Sequence, residues 1–285
     1  MNATLPLSLA AGAVVSLLPI IRADAQEALN MDAATQPSPG VFYLYERARY
    51  TRFGSEPDSA DPPRSDRTNL LELDTTLMAG LTTNLAFIAN IPVERREDRA
   101  AGESLDTKLG IADPELLFKY RIYKSDSGAL DTLRVAALFG AEIPSGDGNF
   151  TSGSVDPIVG IAATLIRGRH GFNAAARFKL NTGGDRDHNL GGDGPDDALR
   201  LDASYLFRLA PGTWSAQSDN ALYAVFELNT LYETSGDTET LFSPGLLLEG
   251  RKWAGEIGAR LPIYEDVRDR PEVEWGFVAG VRFFF

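Results

Sequence analysis

The chain has 285 residues, of which 44% are hydrophobic, with no cysteine and a formal net charge of −13. Its mean hydropathy is −0.15, and after residue 25 no stretch reaches the roughly 18 uninterrupted apolar residues of a transmembrane helix, which excludes a helical membrane protein. The acidic balance argues against a nucleic-acid partner, because phosphate binding depends on clustered Lys and Arg. Without cysteine there is no disulfide scaffold, thiolate metal site or cysteine nucleophile.

The N-terminal segment has the pattern of a secretion signal. An apolar run over residues 5–21 is followed by Ala23-Asp24-Ala25, which places small residues at the two positions that a signal peptidase reads. We predict a signal peptide over residues 1–25 with cleavage before Gln26. Because no Lys or Arg precedes Leu5, an N-terminal membrane anchor is the alternative.

Residues 26–40 are polar and contain two prolines, which predicts an irregular segment. The segment is either a flexible leader in the periplasm or a plug inside the domain that follows.

From residue 41 to the C-terminus, apolar residues recur at every second position, which is the period of a β-strand. In the segment 69–81, for example, leucines occupy odd positions while Glu72 and Asp74 occupy even ones. No apolar face of these segments carries a charge. We predict eleven strands with this pattern, in the segments 69–81, 85–93, 115–122, 133–143, 159–165, 172–180, 199–207, 222–228, 242–248, 253–263 and 273–285.

The segment 41–52 supplies a twelfth strand, but its two faces are mixed. Glu46 falls on one face, and Arg47 and Arg49 fall on the other. We therefore expect a bulge or a slipped register in this strand.

The lengths of the strands and of their connections favour a barrel in a membrane over a soluble sandwich. Most runs have about 9 to 13 residues, close to the roughly 9 to 11 that a tilted strand needs to cross a bilayer. Long acidic connections alternate with short turns, apart from the long connection 209–219, and an even strand count returns the C-terminus to the periplasm. We predict an all-β, transmembrane, antiparallel up-and-down β-barrel of 12 strands over residues 41–285. Its long connections are 53–68, 94–112, 144–155, 182–197, 234–240 and 265–272, and its short ones include 81–84, 168–171 and 250–252.

The C-terminal segment resembles the signal by which outer-membrane barrels reach their assembly machinery. Alternating apolar residues close on a terminal phenylalanine, and the residues that form this pattern are Trp275, Phe277, Phe283 and Phe285. We expect location in the outer membrane, with outer-membrane lipid and the barrel assembly machinery as partners.

Motifs between residues 110 and 165 resemble a known family. They are Gly110-Ile111-Ala112-Asp113-Pro114, Leu117-Phe118-Lys119-Tyr120-Arg121, Glu142-Ile143-Pro144-Ser145-Gly146-Asp147 and Gly153-Ser154-Val155-Asp156. They resemble the outer-membrane family labelled for the MetA pathway of phenol degradation, and the similarity in pattern extends over residues 70–285. The resemblance implies a transporter for hydrophobic or aromatic compounds. The Pro-Ser-Gly-Asp motif lies at a strand exit, where it fits an architectural role as well as a substrate contact.

The polar residues of the strands are expected to line the lumen. Arg177, Lys179 and Arg200 fall on strands about opposite to Glu72 and Asp74, which predicts a transverse field that orients dipolar solutes. The alternative is that each charge pairs with its neighbours, since a buried charge must be compensated. The candidates for selectivity are Glu72, Asp74, Glu115, Lys119, Arg121, Arg134, Glu142, Arg177, Lys179, Arg200 and Asp202.

Only two histidines are available for catalysis. Serine hydrolysis needs a base beside the nucleophile, whereas His170 falls in a short turn and His188 in the loop 182–197. A hydrolase that uses His188 and acids at the rim is an alternative to a plain solvated loop. We predict no enzyme, no catalytic residue and no cofactor. Asp185, Asp187 and Asp193 are weak Ca²⁺ candidates without the spacing of a known motif, so no metal site is predicted.

Two classes of function remain. The first is an outer-membrane channel for passive uptake or efflux of small solutes, aromatic or hydrophobic ones included. The second is a non-conducting structural or adhesive barrel, whose lumen would be filled by residues 26–40 or by inward loops. The pattern does not identify the solute or the oligomeric state.

Overall fold

The computed structural model describes residues 27–54, 67–99, 105–127, 130–184, 189–213 and 218–285, so the predicted signal peptide lies outside the described residues. The only helix in these ranges is a 3-10 turn, Gly148–Phe150, and none is long and apolar enough to span a membrane. The strands are β1 Phe42–Phe53, β2 Arg67–Gly80, β3 Leu85–Arg99, β4 Asp106–Ile111, β5 Glu115–Ser127, β6 Asp131–Glu142, β7 Asp156–Arg167, β8 His170–Lys179, β9 Ala198–Ala210, β10 Asn220–Glu233, β11 Thr238–Gly250, β12 Trp253–Asp266 and β13 Val273–Phe284.

Antiparallel pairing closes the sheet on itself. β1 pairs with both β2 and β13, and β2 pairs with β3. β3 pairs with β5 along residues 85–90 and with β4 along residues 93–98, so β4 and β5 are two parts of one barrel strand. The thirteen strands therefore make a closed barrel of twelve, which confirms the predicted fold class.

One predicted connection is wrong in part. Residues 94–112 were expected to form a loop, but β3 continues to Arg99 and β4 pairs with its extension. All six residues from 94 to 99 are charged, so no apolar alternation marks the strand there. Main-chain pairing with β2 and β4 extends β3 here, since a strand that projects beyond the lipid needs no apolar face.

Residues 112–114 interrupt the barrel strand between β4 and β5. Asp113, which is buried, accepts hydrogen bonds from the backbone N–H groups of Gly146 and Ser152 at 2.8 and 2.7 Å. A side chain at position 146 would collide with the backbone, because its Cβ would lie 2.8 Å from the carbonyl oxygen of Ile111. The Asp-Pro and Pro-Ser-Gly-Asp motifs thus contact each other and set the path of the loop between β6 and β7.

The two faces of the barrel separate apolar from charged side chains. Large apolar side chains are exposed on the outer face, which water would not tolerate over so wide an area but lipid does. Charged side chains such as Asp74, Lys119 and Glu227 are buried on the inner face. Examples of the exposed apolar side chains are Leu73, Phe139, Val159, Phe226, Ile257 and Phe277.

β1 shows its irregularity only at one end. Its register with β2 is continuous, and its register with β13 shifts between Arg52 and Phe53. A bulge does not explain the mixed faces of β1. Glu46 lies on the outer face, where it accepts a hydrogen bond from the Thr75 hydroxyl at 2.9 Å. The bulge expected within the strand is therefore confined to its last residue pair.

The short turns and the C-terminus lie at one end of the barrel, which we assign to the periplasm. Phe285 and Phe42 exchange backbone hydrogen bonds of 2.9 and 3.2 Å at this end. Trp275, Phe277 and Phe283 are exposed on the outer face of β13. The long connection between β9 and β10 also lies at this end, and residues 214–217 within it are outside the described residues.

Candidate functional site in the barrel lumen

The periplasmic half of the lumen contains the chain's own N-terminal segment. Residues 27–37, which we call the plug, contact inward side chains of strands around the barrel, and Leu29 and Ala34 are fully buried among them. Residues 38–40 are exposed and lead into β1. Of the two locations predicted for residues 26–40, residues 27–37 have the one inside the lumen.

Polar side chains of the barrel bind the backbone of the plug. Glu227 on β10 accepts hydrogen bonds from the backbone N–H groups of Leu29 and Asn30. Lys119 on β5 donates to the carbonyl oxygen of Ala33 at 2.8 Å. Because an extended segment cannot satisfy its own backbone groups, these side chains replace the hydrogen bonds of a neighbouring strand.

An ionic cluster joins the first residue of the plug to the barrel. Arg282 on β13 is 1% exposed and forms ion pairs with Glu27 at 3.3 Å and with Glu256 on β12. Arg47 also binds Glu256, at 2.7 Å, and the Tyr45 hydroxyl donates to Glu27 at 2.8 Å. Every charge of this cluster has an opposite partner, as buried charges require.

Residues 189–194, which we call the inward loop, lie in the extracellular half of the lumen. The Asn189 amide and the backbone N–H of Gly192 donate to Glu233 at 2.9 and 3.0 Å. Asp193 accepts a hydrogen bond from Lys179 at 2.6 Å. The Lys179 ammonium beside it holds the pKa of the Asp193 carboxyl below its ordinary value.

Arg270, in the connection between β12 and β13, joins the inward loop to the barrel. It is fully buried and forms ion pairs with Glu233 at 2.6 Å and Glu239 at 3.1 Å. Burial lowers the pKa of Arg270, but these two carboxylates raise it more, so the guanidinium stays charged. Glu233 therefore holds both the inward loop and Arg270.

Between the plug and the inward loop lies a chamber of about 380 Å³. Its wall is mixed, with inward charged side chains on one part and apolar side chains on another. The volume falls within the range of about 300 to 1,000 Å³ that is usual for small-molecule sites. The chamber is the site on which a function in the lumen would depend.

The predicted lumen residues lie on the inner wall, and their charges are compensated locally. Arg49, a residue missed by the sequence interpretation, pairs with both Glu72, at 3.1 Å, and Asp74. Arg177 pairs with Glu115 and approaches Asp32 of the plug. These ion pairs favour the alternative to a transverse field, because each of the two walls carries its own counter-charges.

The remaining candidates for selectivity lie in two places, the chamber and the periplasmic end of the barrel. Lys179 and Glu142 pair at 3.1 Å, and Asp202 accepts from the Asn229 amide at 3.0 Å. Arg200 donates to the carbonyl oxygen of Gly191 at 3.3 Å. Arg121 and Arg134 lie near the periplasmic turns, where they bind the Thr83 carbonyl and the Thr132 hydroxyl, and Lys119 holds the plug. The role of these eleven residues in selectivity stays a prediction.

Sequence reasoning also missed Glu227, Glu256, Arg260 and Arg282 as candidates. All four lie on the inward positions of their strands, so the alternation that selected Arg177 could have selected them. What the alternation could not show is which of them contact the plug, because the plug is remote in sequence from its partners.

The residues considered for catalysis and metal binding are placed as follows. His170 lies at the periplasmic start of β8, where its Nδ1 is 2.8 Å from the Tyr205 hydroxyl. His188, Asp185 and Asp187 lie outside the described residues. Asp193 binds Lys179, and no group of three or more potential metal ligands occurs in the described ranges.

Comparison with known proteins supports the fold and identifies the family. The chain is 11% identical to the COG4313 outer membrane channel from Pseudomonas putida F1, with a TM-score of 0.56 over 91% of this chain and 100% of that one. It is 12% identical to the β domain of the Bordetella autotransporter BrkA, with a TM-score of 0.52 over 85% and 99% of the two chains. None of the curated protein sequences matches. The pattern of the family labelled for the MetA pathway of phenol degradation matches residues 67–270, and the chain belongs to this family.

Proposed function

We propose that this protein is an outer-membrane channel for passive movement of small solutes, aromatic and hydrophobic ones included. The observation that carries the proposal is the chamber of about 380 Å³ enclosed by a transmembrane barrel. The family label, which refers to phenol degradation, supports aromatic compounds as solutes. The similarity to an outer membrane channel supports the same class.

The proposal includes export and assembly. A signal peptide over residues 1–25 would direct the chain to the periplasm, and the apolar C-terminal strand ending at Phe285 would direct it to the barrel assembly machinery. The lipid-facing aromatic residues Trp275, Phe277 and Phe283 support location in a membrane.

The plug and the inward loop narrow the proposed channel in this conformation. The plug lies at the periplasmic side of the chamber, and the inward loop lies at its extracellular side. Passage of a solute would therefore require both segments to move. Gating loops of this kind commonly move on microsecond to millisecond timescales.

One observation favours a second candidate, a non-conducting structural or adhesive barrel. The lumen is occupied by the plug and the inward loop, which is the arrangement expected of a barrel without a transport role. If the protein is a channel, weakening the plug opens a path for solutes. If it is a non-conducting barrel, weakening the plug opens none.

Single-channel recording in planar bilayers separates these candidates. Glu227→Ala removes the acceptor for the backbone N–H groups of Leu29 and Asn30, so it weakens the plug without altering the outer face. We expect rare openings in the unchanged protein and openings at least ten times more frequent in Glu227→Ala. Arg251→Gln, on an exposed periplasmic turn, is the control and is expected to behave as the unchanged protein. If neither protein conducts although heat-modifiable mobility shows both folded, the non-conducting barrel is correct.

A further inference from the structure

Arg260 on β12 differs from most of the inward arginines of the chamber. Its guanidinium donates to the Thr51 hydroxyl at 2.7 Å, and its Nε has no hydrogen-bond partner. Within the described ranges no carboxylate lies within ion-pair distance of it, whereas Arg49, Arg177 and Arg270 each have one. Arg260 is therefore a cation in the chamber without a counter-ion among the described side chains.

The charged groups around Arg260 do not supply that counter-ion. Arg49 and Arg200 interact with it as like charges, and Glu239 and Glu72 interact as opposite charges. Both carboxylates are already engaged, Glu239 by Arg270 and Glu72 by Arg49. Arg200 donates only to the carbonyl oxygen of Gly191 among the described residues, while Asp193 and Asp202 act on it as opposite charges. Arg260 therefore keeps a positive charge that no described carboxylate neutralises at ion-pair distance.

The backbone next to Arg260 leaves space for its side chain. Gly276 on β13 pairs with Arg260 on one side and with Thr51 on the other. A Cβ at this position would lie 3.5 Å from the Arg260 Cβ and 2.6 Å from the carbonyl oxygen of Tyr50. With glycine there, the arginine crosses β13 and reaches the Thr51 hydroxyl, which holds the guanidinium at the chamber wall.

An apolar surface borders this arginine on its extracellular side. Phe53, Leu241 and Val273 form a buried cluster, and Leu70 and Leu190 pack against it. All five side chains line the chamber. Phe53 is the next inward residue after Thr51, and Leu241 pairs with Pro262, two residues beyond Arg260. A cationic group and an apolar surface therefore meet in one place.

We propose that the chamber binds a small carboxylate with an apolar ring. The carboxylate would pair with the guanidinium of Arg260, assisted by Arg200, and the ring would pack on the cluster of Phe53, Leu241 and Val273. The planar guanidinium matches a carboxylate in a bidentate arrangement, and the apolar side chains beside it strengthen such a pair relative to water. As the substrate class of the proposed channel, this inference rests on that function and adds the charge of the solute to it.

Equilibrium binding tests the inference. The full chain is folded in a neutral detergent and titrated at pH 7 with benzoate and with benzamide, which has the same shape but no charge. We expect the Kd of benzoate to be at least ten-fold lower than that of benzamide. Arg260→Gln should raise the Kd of benzoate about ten-fold, which is about 1.4 kcal/mol, and leave that of benzamide unchanged. Arg260→Lys should restore part of the preference, and Arg251→Gln should change neither constant.

Several outcomes overturn the inference. They are absence of benzoate binding, equal dissociation constants for the two probes in the unchanged protein, or an Arg260→Gln protein that binds benzoate as well as the unchanged one. If Arg260→Gln does not fold, Arg200→Gln carries the same expectation. Binding does not depend on conduction, so a folded protein that prefers benzoate but passes no solute contradicts the proposed channel alone. A protein that passes both probes without preference contradicts the carboxylate site alone.

Discussion

The plug region and the chamber lie on the same barrel strands but compensate their buried charges differently. At the plug, Arg282 and Glu256 have opposite partners on two sides, and the backbone of the inserted segment is bound by Glu227. In the chamber, Arg260 has only a hydroxyl partner among the described residues. Ion pairing of this kind permits close packing, whereas a cation without a carboxylate partner requires water or a bound anion beside it. The difference separates a closely packed region from one in which the proposed ligand would supply the missing anion.

The largest effect that distinguishes the two regions is expected from Glu256→Gln. The substitution removes the carboxylate that faces both Arg282 and Arg47, so Arg282 keeps Glu27 alone. Losing one partner of a buried pair costs about 3 to 5 kcal/mol, and the free energy of unfolding in urea, measured in lipid vesicles by tryptophan fluorescence, should fall by that amount.

The matched control is Glu274→Gln. Glu274 pairs with Arg52 at the rim of the barrel, where its side chain is 38% exposed, and the expected cost is below about 1 kcal/mol. If both variants lowered the free energy of unfolding equally, the charges of the plug cluster would be no better compensated than those at the rim.

A smaller loss is expected at the extracellular end from Asp113→Ala. The variant leaves the backbone N–H groups of Gly146 and Ser152 without their acceptor, at a cost of about 2 kcal/mol. Amide hydrogen exchange should accelerate in residues 143–155 and stay unchanged in residues 27–37. Asp147→Ala, which removes one exposed bond to the Ile111 N–H, should have the weaker effect. Faster exchange in the plug would mean that the two regions are coupled.

Cysteine labelling compares the two covers of the chamber directly, since the chain has no native cysteine. Ala34→Cys lies in the plug, where Ala34 is fully buried, and Leu190→Cys lies in the inward loop, where Leu190 is partly buried. We expect a maleimide to label position 190 at least ten times faster. Adding Glu227→Ala should accelerate labelling at position 34 only. Faster labelling at position 34 in the unchanged protein would reverse the comparison.

The smallest effect concerns the pH dependence of the inward loop. The pKa of Asp193 is below its ordinary value of 3.8 because of Lys179, so the stability that this pair contributes is present above that value. It is lost only as the pH falls through the lowered pKa. Hydrogen exchange of residues 189–194, corrected for its intrinsic pH dependence, should be equal at pH 7 and 5 and accelerate below about pH 3.8. Asp193→Asn should remove this change, and a loop that opens between pH 7 and 5 would contradict the assignment.

Particular residues show which properties of the lumen could be predicted from the sequence and which could not. Arg177 and Lys179 could be placed on the inner wall because their neighbours Phe178 and Leu180 are apolar and alternate with them. Their partners Glu142 and Glu115 belong to strands two and three positions away around the barrel, and no local pattern reports that distance. For this reason the sequence could not choose between opposed charged walls and charges that pair with their neighbours. The hairpin extension over residues 94–99 was missed because it contains no apolar residue to show a period.

The sequence alone determined the strands, their two faces, the barrel and the place of Phe285 at its end. These properties follow from a period of two and from strand length, which depend on neighbours along the chain. Only the tertiary structure decided that residues 27–37 lie in the lumen, that most lumen charges are paired, and that Arg260 has no carboxylate partner among the described residues. Those properties depend on contacts between segments as far apart as Glu27 and Arg282, which closure of the barrel brings together.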